Sequence, residues 1–283
     1  MEENKKEFKL LEKKTPSSLL PNALTILGVC LGLSSIKFAL DFNYEMAVIS
    51  IGFAAILDTL DGRVARLIKS TSKVGKELDS LTDVVSFGVA PIFIIYFWVL
   101  NSLGKIGWLL VLIYTVCCVL RLARFNLTNI DENESWKINF FEGIPSPAAA
   151  GLILLPLILS LSNLVEILNL NEVIQFLHLD AIFQANSNKI ISAILILIIS
   201  ILMVSKIPTY SLKRIVIPRR LGGFLLLGIG TYISVLIYFT FEVLFLTGLT
   251  YFLLLPVSYF HYNYLNKNNL KENTEEDEIE DIL

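Results

Sequence analysis

Eight mostly apolar stretches punctuate this sequence, each close to the roughly 17 to 25 residues that an α-helix needs to cross the hydrocarbon core of a bilayer. They run at about Leu19–Leu40, Tyr44–Leu67, Glu77–Leu100, Ile106–Arg124, Pro147–Leu168, Ile190–Ile207, Leu221–Phe241 and Val243–His261. Hydrophobic residues make up 54% of the chain and charged ones 17%, where a soluble domain carries about 25% charged residues. That balance excludes a disordered chain, a nucleic-acid binder working by charge, and most soluble folds. The expected fold class is all-α, a polytopic transmembrane bundle of about eight spans.

Charge then orients the bundle. If the N-terminus lies in the cytoplasm, the gaps after even-numbered spans collect Arg63, Arg66, Lys69, Lys73, Lys76, Arg121, Arg124, Lys137, Lys206, Lys213, Arg214, Arg219, Arg220, Lys267 and Lys271. With five N-terminal lysines, 20 of the 23 basic residues fall on one side, leaving Lys37, Lys105 and Lys189 for the other. The positive-inside rule therefore predicts an even number of spans with both termini in the cytoplasm. The chain divides into three segments: a basic tail over 1–17, a membrane domain over 18–265, and an acidic, solvated and disordered tail over 266–283. No A-x-A-like cleavage site comes after the basic tail, so a cleaved signal peptide is not expected. A tight turn is expected at Glu242 between the last two spans. Cys30, Cys117 and Cys118 all sit in apolar runs without metal-ligand spacing and read as small buried hydrophobes.

Ionisable groups inside spans are costly, so an intramembrane carboxylate is a functional hypothesis by default. Asp58 and Asp61 are three residues apart, Asp79 and Asp83 four, so each pair shares one helix face. In an antiparallel hairpin, residues of equal height have a constant index sum. Asp61 with Asp79, and Asp58 with Asp83, have nearly the same one, which brings all four to one level around a turn near Ser70. Such a cluster repels itself unless cations are present, and all-carboxylate ligation suits hard divalent metals such as Mg²⁺, Mn²⁺ or Ca²⁺. A bland alternative pairs these acids with Arg63, Arg66 or Lys76. A cation site in a transporter would instead place carboxylates near the bilayer midplane and show an internal repeat, and no repeat is visible.

The stretch Asp58-Thr-Leu-Asp61-Gly62-Arg-Val-Ala65-Arg66, with Gly75, Asp79 and Asp83 after it, fits D-x-x-D-G-x-x-A-R-x8-G-x3-D-x3-D at every fixed position. It resembles the signature of the CDP-alcohol phosphotransferase family. The resemblance implies a six-helix family core and an integral membrane enzyme that cleaves the pyrophosphate of a CDP-linked donor, transfers its phosphatidyl or phosphoalcohol part to an alcohol, and releases CMP. It also implies that Asp58, Asp61 and Asp79 are metal ligands and that Asp83 shares ligation with general-base work. A divalent cofactor, Mg²⁺ or Mn²⁺, is expected as two ions. Gly62, Ala65 and Gly75 lack bulk where a nucleotide must approach the backbone, and Arg66 offers a fork of donors to phosphate. With Asn22 and Thr25 they form the expected CDP-lipid site.

Further segments, Val84-Val-Ser-Phe-Gly-Val-Ala-Pro91, Arg121-Leu-Ala-Arg124-Phe-Asn126, Gly143-Ile-Pro-Ser-Pro-Ala-Ala-Ala150 and Ser205-Lys206-Ile-Pro208, resemble the serine-using branch of that family. The resemblance covers about residues 18 to 265 and is weaker from Leu164 to Lys189. It implies CDP-diacylglycerol and L-serine as substrates in a bacterial cytoplasmic membrane, with the site on the cytoplasmic side. Membrane lipids are the other expected partner, nucleic acid is not one, and a homodimer is left open. Arg121, Arg124 and Lys206 are the candidates for the serine carboxylate, with ordinary anchoring beside anionic lipid of equal weight for each. His178 and His261 lie far from the motif, and no catalytic role is expected for either.

Overall fold

The computed structural model describes residues 19–68, 73–127, 140–164, 185–210 and 222–280. The N-terminal tail, the turn at Ser70, His178, most of the weakly matching segment after Leu164 and the basic residues from Lys213 to Arg220 lie outside them. Each of the eight expected spans contains helix among the described residues, and the chain falls into two compact units that meet in sequence at Leu122 and Ala123.

The first unit begins with α1 (Leu19–Leu40) and α2 (Tyr44–Leu67), the bounds expected from the sequence. The buried positions of α1 are Pro21, Thr25, Gly28, Gly32, Ser35 and Ala39, a stripe of residues three or four positions apart. Its large residues Leu20, Ile26, Leu27 and Leu33 are more than half exposed. Such an inverted pattern suits a bilayer. Lipid solvates leucine as well as a protein interior does, so close backbone approach through small residues becomes the main source of packing. A Cβ added at Gly32 would lie 2.8 Å from Ser86 Oγ and 3.0 Å from Ser86 Cα, and Ser86 Oγ donates to Gly28 O at 3.2 Å. Between the two helices Phe42 turns the chain at φ 59°, and Asn43 caps α2 by accepting from the Met46 N–H at 3.2 Å. Lys37, in the last turn of α1, pairs with Asp41 at the surface.

The third expected span is not one helix. It comprises α3 (Lys73–Asp83), a π turn (Val84–Val89) and α4 (Ala90–Trp98), with a 3₁₀ turn (Leu100–Leu103) after it. Pro91 explains the interruption, because proline removes one intrahelical bond and its ring crowds the carbonyl four residues earlier. Gly104, at φ 57°, reverses the chain into α5 (Lys105–Leu127). The reversal is tight, since a Cβ at Gly107 would come within 2.1 Å of Leu100 O.

The second unit contains two three-residue strands that the helical reading omits, β1 (Phe140–Glu142) and β2 (Pro208–Tyr210). They pair antiparallel, Phe140 opposite Tyr210 and Glu142 opposite Pro208. Around them are α6 (Ser146–Leu161), α7 (Ala185–Val204), α8 (Gly222–Tyr238) and α9 (Thr240–Glu280). Gly143 continues the pairing through its N–H to Ile207 O at 2.9 Å. At φ 71°, with Met203 O only 2.7 Å from where a Cβ would be, it has to be glycine. α6 ends seven residues sooner than expected. Ser162 takes an extended conformation there, and the Asn163 N–H donates to Glu242 Oε1 at 3.0 Å. The turn between the last two spans falls at Phe239, which puts Glu242 in the first turn of α9, where a negative charge complements the helix dipole.

The backbone of α9 stays helical to Glu280, where the sequence reading has a disordered tail. Extending an existing helix avoids the nucleation cost, and Glu and Lys are good helix formers. Segments Leu20–Leu40, Gly75–Trp98, Lys105–Phe125 and Thr240–Asn266 are long and apolar enough to cross a membrane. Three apolar helices are shorter: Ser146–Leu161, Asn188–Val204 and Gly222–Tyr238. α2 has the length, but it carries the carboxylates and arginines of the motif. The fold is an all-α, polytopic membrane bundle.

Candidate functional site

α2 delivers Asp58 and Asp61 one turn apart near its C-terminal end, and α3 delivers Asp79 and Asp83. One carboxylate oxygen each from Asp58, Asp61 and Asp79 lies within 4.8 Å of the other two. Asp83 is one turn further along and reaches the same group from its side, with its carboxyl close to that of Asp58.

Asp61 is only 4% exposed. Its Oδ2 accepts a hydrogen bond from Thr25 Oγ1 at 2.6 Å, with Pro21 O, 3.0 Å from the same hydroxyl, as the alternative acceptor within α1. The Gly62 backbone also bonds to the Asp61 carboxylate. Asp83 lies within electrostatic reach of the guanidinium of Arg121, which is itself buried at 6% exposure on α5.

Four carboxylates against one guanidinium leave the cluster with excess negative charge in a partly desolvated place, where Coulomb repulsion is strong. Converging carboxylate oxygens fit a hard divalent cation, which would offset that repulsion. Asp61 being buried separates this group from the exposed acid clusters common on surfaces.

The other motif residues take up positions around this cluster. Asn22, Ala65 and Gly75 are half-buried, and Thr25 is buried against Asp61. Gly62 has open space beside it, where a Cβ would meet nothing within 4 Å, so protein packing gives no reason for glycine at this position. Arg66 is exposed, with its Nε donating to Gly62 O at 3.0 Å one turn back.

The three basic candidates separate. Arg121 lies in the first unit with the carboxylates. Arg124 and Lys206 lie in the second, where Arg124 donates from Nη1 to Val204 O at 2.6 Å and from Nη2 to Ser205 O at 3.1 Å. Arg124 thereby satisfies carbonyls at the C-terminal end of α7, a position favourable to a cation. Lys206 is exposed. His261 Nδ1 bonds to the Tyr210 hydroxyl at 2.9 Å beside the Phe140 ring, in the aromatic cover of the small sheet.

A cavity of about 520 Å³ within the second unit, lined by Tyr210, Tyr232, Leu246, Tyr251 and Leu255 among others, contains no motif residue. Sequence reasoning missed the partnership of Thr25 with Asp61 and the buried face of α5 made by Tyr114, Cys118 and Arg121. The four-then-three spacing of those residues was the available signal.

Residues 18–179 match the family model described as CDP-alcohol phosphatidyltransferase. Curated relatives carry the name CDP-diacylglycerol–serine O-phosphatidyltransferase. The Mycobacterium leprae protein is 47% identical over 144 residues, 49% of this chain and 48% of that one. The Helicobacter pylori protein is 46% identical over 145 residues, 51% of this chain and 59% of that one. The Bacillus subtilis protein is 39% identical over 130 residues, 46% of this chain and 70% of that one. The chain thus spans about half the length of the Mycobacterium leprae protein. With more than half of its residues matched, including all four converging aspartates, the chain belongs to the CDP-alcohol phosphatidyltransferase family.

Proposed function

We propose that this protein transfers the phosphatidyl group of CDP-diacylglycerol to the hydroxyl of L-serine, giving phosphatidylserine and CMP. The observation that carries the reading is the convergence of Asp58, Asp61 and Asp79 oxygens within 4.8 Å, beside Asp83, in a membrane-spanning bundle. The names of the relatives support serine as acceptor.

In the reaction, the serine oxygen bonds to the phosphatidyl phosphorus, the bond from that phosphorus to the bridging oxygen of the pyrophosphate breaks, and CMP leaves with the oxygen. Asp83, one turn beyond Asp79, accepts the proton that the serine hydroxyl loses. Arg121, whose charge acts on Asp83, would hold the serine carboxylate as the hydroxyl approaches. Thr25, donating to Oδ2 of Asp61, holds that carboxylate in orientation for ligation. The open surface at Gly62, flanked by Ala65 and Arg66, admits the cytidine diphosphate backbone-first, with Asn22 and Gly75 completing the site. Asp58, Asp61 and Asp79, with Asp83, would hold the divalent cations, Mg²⁺ or Mn²⁺ and two in number, which when bound neutralise the pyrophosphate and the charge developing on the departing CMP. Arg124, engaged with α7, and Lys206 serve better as anchors beside anionic lipid than as serine ligands.

Basic residues concentrate at the ends of the spans that carry this site, which supports placing it on the cytoplasmic face of a bacterial inner membrane, where serine is supplied and CMP reused. Washed membranes containing the protein, given CDP-diacylglycerol and each labelled alcohol in turn, provide the test. Label is expected in lipid from serine. Label from glycerol 3-phosphate or an inositol phosphate, and none from serine, would refute the acceptor while leaving the family intact.

A further inference from the structure

Directly after Asp83 the helix opens into its π turn, and the Ala90 N–H bonds to Val85 O five residues back. Pro91 has no N–H for the carbonyl four residues before it, that of Phe87, and its ring would crowd that oxygen in an α-helix. The orphaned acceptor is taken up from another helix. Tyr114, fully buried on α5, donates its hydroxyl to Phe87 O at 3.0 Å. Thr115 Oγ1 reaches the next carbonyl, Gly88 O, at 3.4 Å. Cys118 Sγ would lie 3.0 Å from a Cβ at Gly88, so α5 presses closely on the turn.

Tyr114, Cys118 and Arg121 are spaced four and three residues apart, so the face of α5 that grips the π turn also carries the Arg121 guanidinium, whose charge acts on Asp83. A π turn inserts one residue into the helical repeat, which rotates the helix before it by about 100° against the helix after it. Asp83 is the last residue before the insertion. Its bearing toward Asp58 therefore depends on the turn staying open.

We propose that Tyr114 is a positioning residue: its hydroxyl holds the π turn and thereby sets the direction in which Asp83 presents its carboxylate. This role rests on the transfer reaction proposed above. It also explains why a tyrosine, rather than the phenylalanine that would fill the same volume, is buried in an apolar core. A bare carbonyl there would cost stability, but a helix free to close would turn Asp83 away, and that is the distinguishing consequence.

The test uses the purified full chain and compares three variants with the parent in serine-dependent CMP release, KM for CDP-diacylglycerol and thermal stability. Tyr114→Phe is expected to lower kcat about 10²-fold, the order of loss for a misplacement near 1 Å, with KM for the CDP-lipid changed less than about twofold. Adding Pro91→Ala to Tyr114→Phe returns an N–H to position 91, so Phe87 O regains a partner within a regular helix. Thermal stability should then recover while kcat stays low. Recovery of both would overturn the proposal, because it would reduce Tyr114 to filling one bond. Parental kcat in Tyr114→Phe would overturn it as well. Should Tyr114→Phe not fold, Pro91→Ala alone, which keeps the Tyr114 hydroxyl on Phe87 O, is expected to bind CDP-lipid and turn over like the parent, and turnover lowered about 10²-fold there would refute the role, because it would make Pro91 rather than Tyr114 what holds the turn. Absence of serine-dependent turnover in the parent chain itself would remove the underlying reaction and this role with it, a result distinct from all the others.

Discussion

Asp61 is the most enclosed of the four aspartates, and the hydroxyl of Thr25 is its neutral partner. Thr25→Val keeps the shape and removes the donor, so it should destabilise the protein by about 1–3 kcal/mol. Because a bound cation would compensate for the missing hydrogen bond, the loss of thermal stability should be larger in EDTA than with Mn²⁺, which a thermal shift assay under both conditions reads directly. Asp58→Asn, Asp61→Asn or Asp79→Asn should abolish turnover in folded protein, since each keeps the side-chain volume and deletes a ligand charge. Asp83→Asn makes a different claim. A general base contributes roughly 10²- to 10⁴-fold, so kcat should fall by that order while metal-dependent binding of the CDP-lipid persists. Binding lost as fully as in Asp58→Asn would make Asp83 chiefly a ligand. Gly62 and Gly32 are opposites at this scale. Gly62→Ala meets empty space and replaces a helical glycine, so stability should rise by about 0.5–1 kcal/mol; if the nucleotide approaches there, CDP-lipid affinity should drop, and unchanged affinity would remove Gly62 from the site. Gly32→Val drives a side chain into Ser86 and should cost about 1–3 kcal/mol.

Among the elements, α1 and α2 were legible to the residue because each is a long apolar run closed by a local signal, the Asp41-Phe42-Asn43 turn between them. The meeting of Asp58, Asp61 and Asp79 was legible for a geometric reason: in a hairpin, the separation of residues from the turn sets their height, and this needs no knowledge of side-chain packing. The broken third span was not legible as a break. Pro91 stands in a run so apolar that hydropathy joins α3 to α4, and the bond that stabilises the π turn comes from Tyr114, on a different helix. Nor was the β1–β2 pair, whose three-residue strands lie far apart in sequence and whose register depends on Gly143 at positive φ. Arg124 illustrates the same limit at the site: the sequence offers it equally as a holder of the serine carboxylate and as an anchor, and its hydrogen bonds to the terminal carbonyls of α7 come from a helix 80 residues away in the chain.

For the whole molecule, large apolar side chains on the outside are what a bilayer requires, as Phe224, Leu226 and Ile237 on α8 illustrate, each at least 70% exposed. The distribution of Lys and Arg then predicts a topology that thiol labelling can check. In a chain whose three own cysteines are replaced by alanine, a membrane-impermeant reagent applied to intact cells should label Lys105→Cys and spare Lys76→Cys. The reverse would put the carboxylate cluster on the wrong side for cytoplasmic serine. The central claim joins that cluster to the transfer itself, and the stoichiometry of the purified protein tests it most directly. With CDP-diacylglycerol, labelled serine and Mn²⁺ or Mg²⁺, CMP and labelled phosphatidylserine should appear in equal amounts, cease together in EDTA and return together when the cation is restored. CMP release that does not depend on serine, or that proceeds undiminished in EDTA, would contradict it.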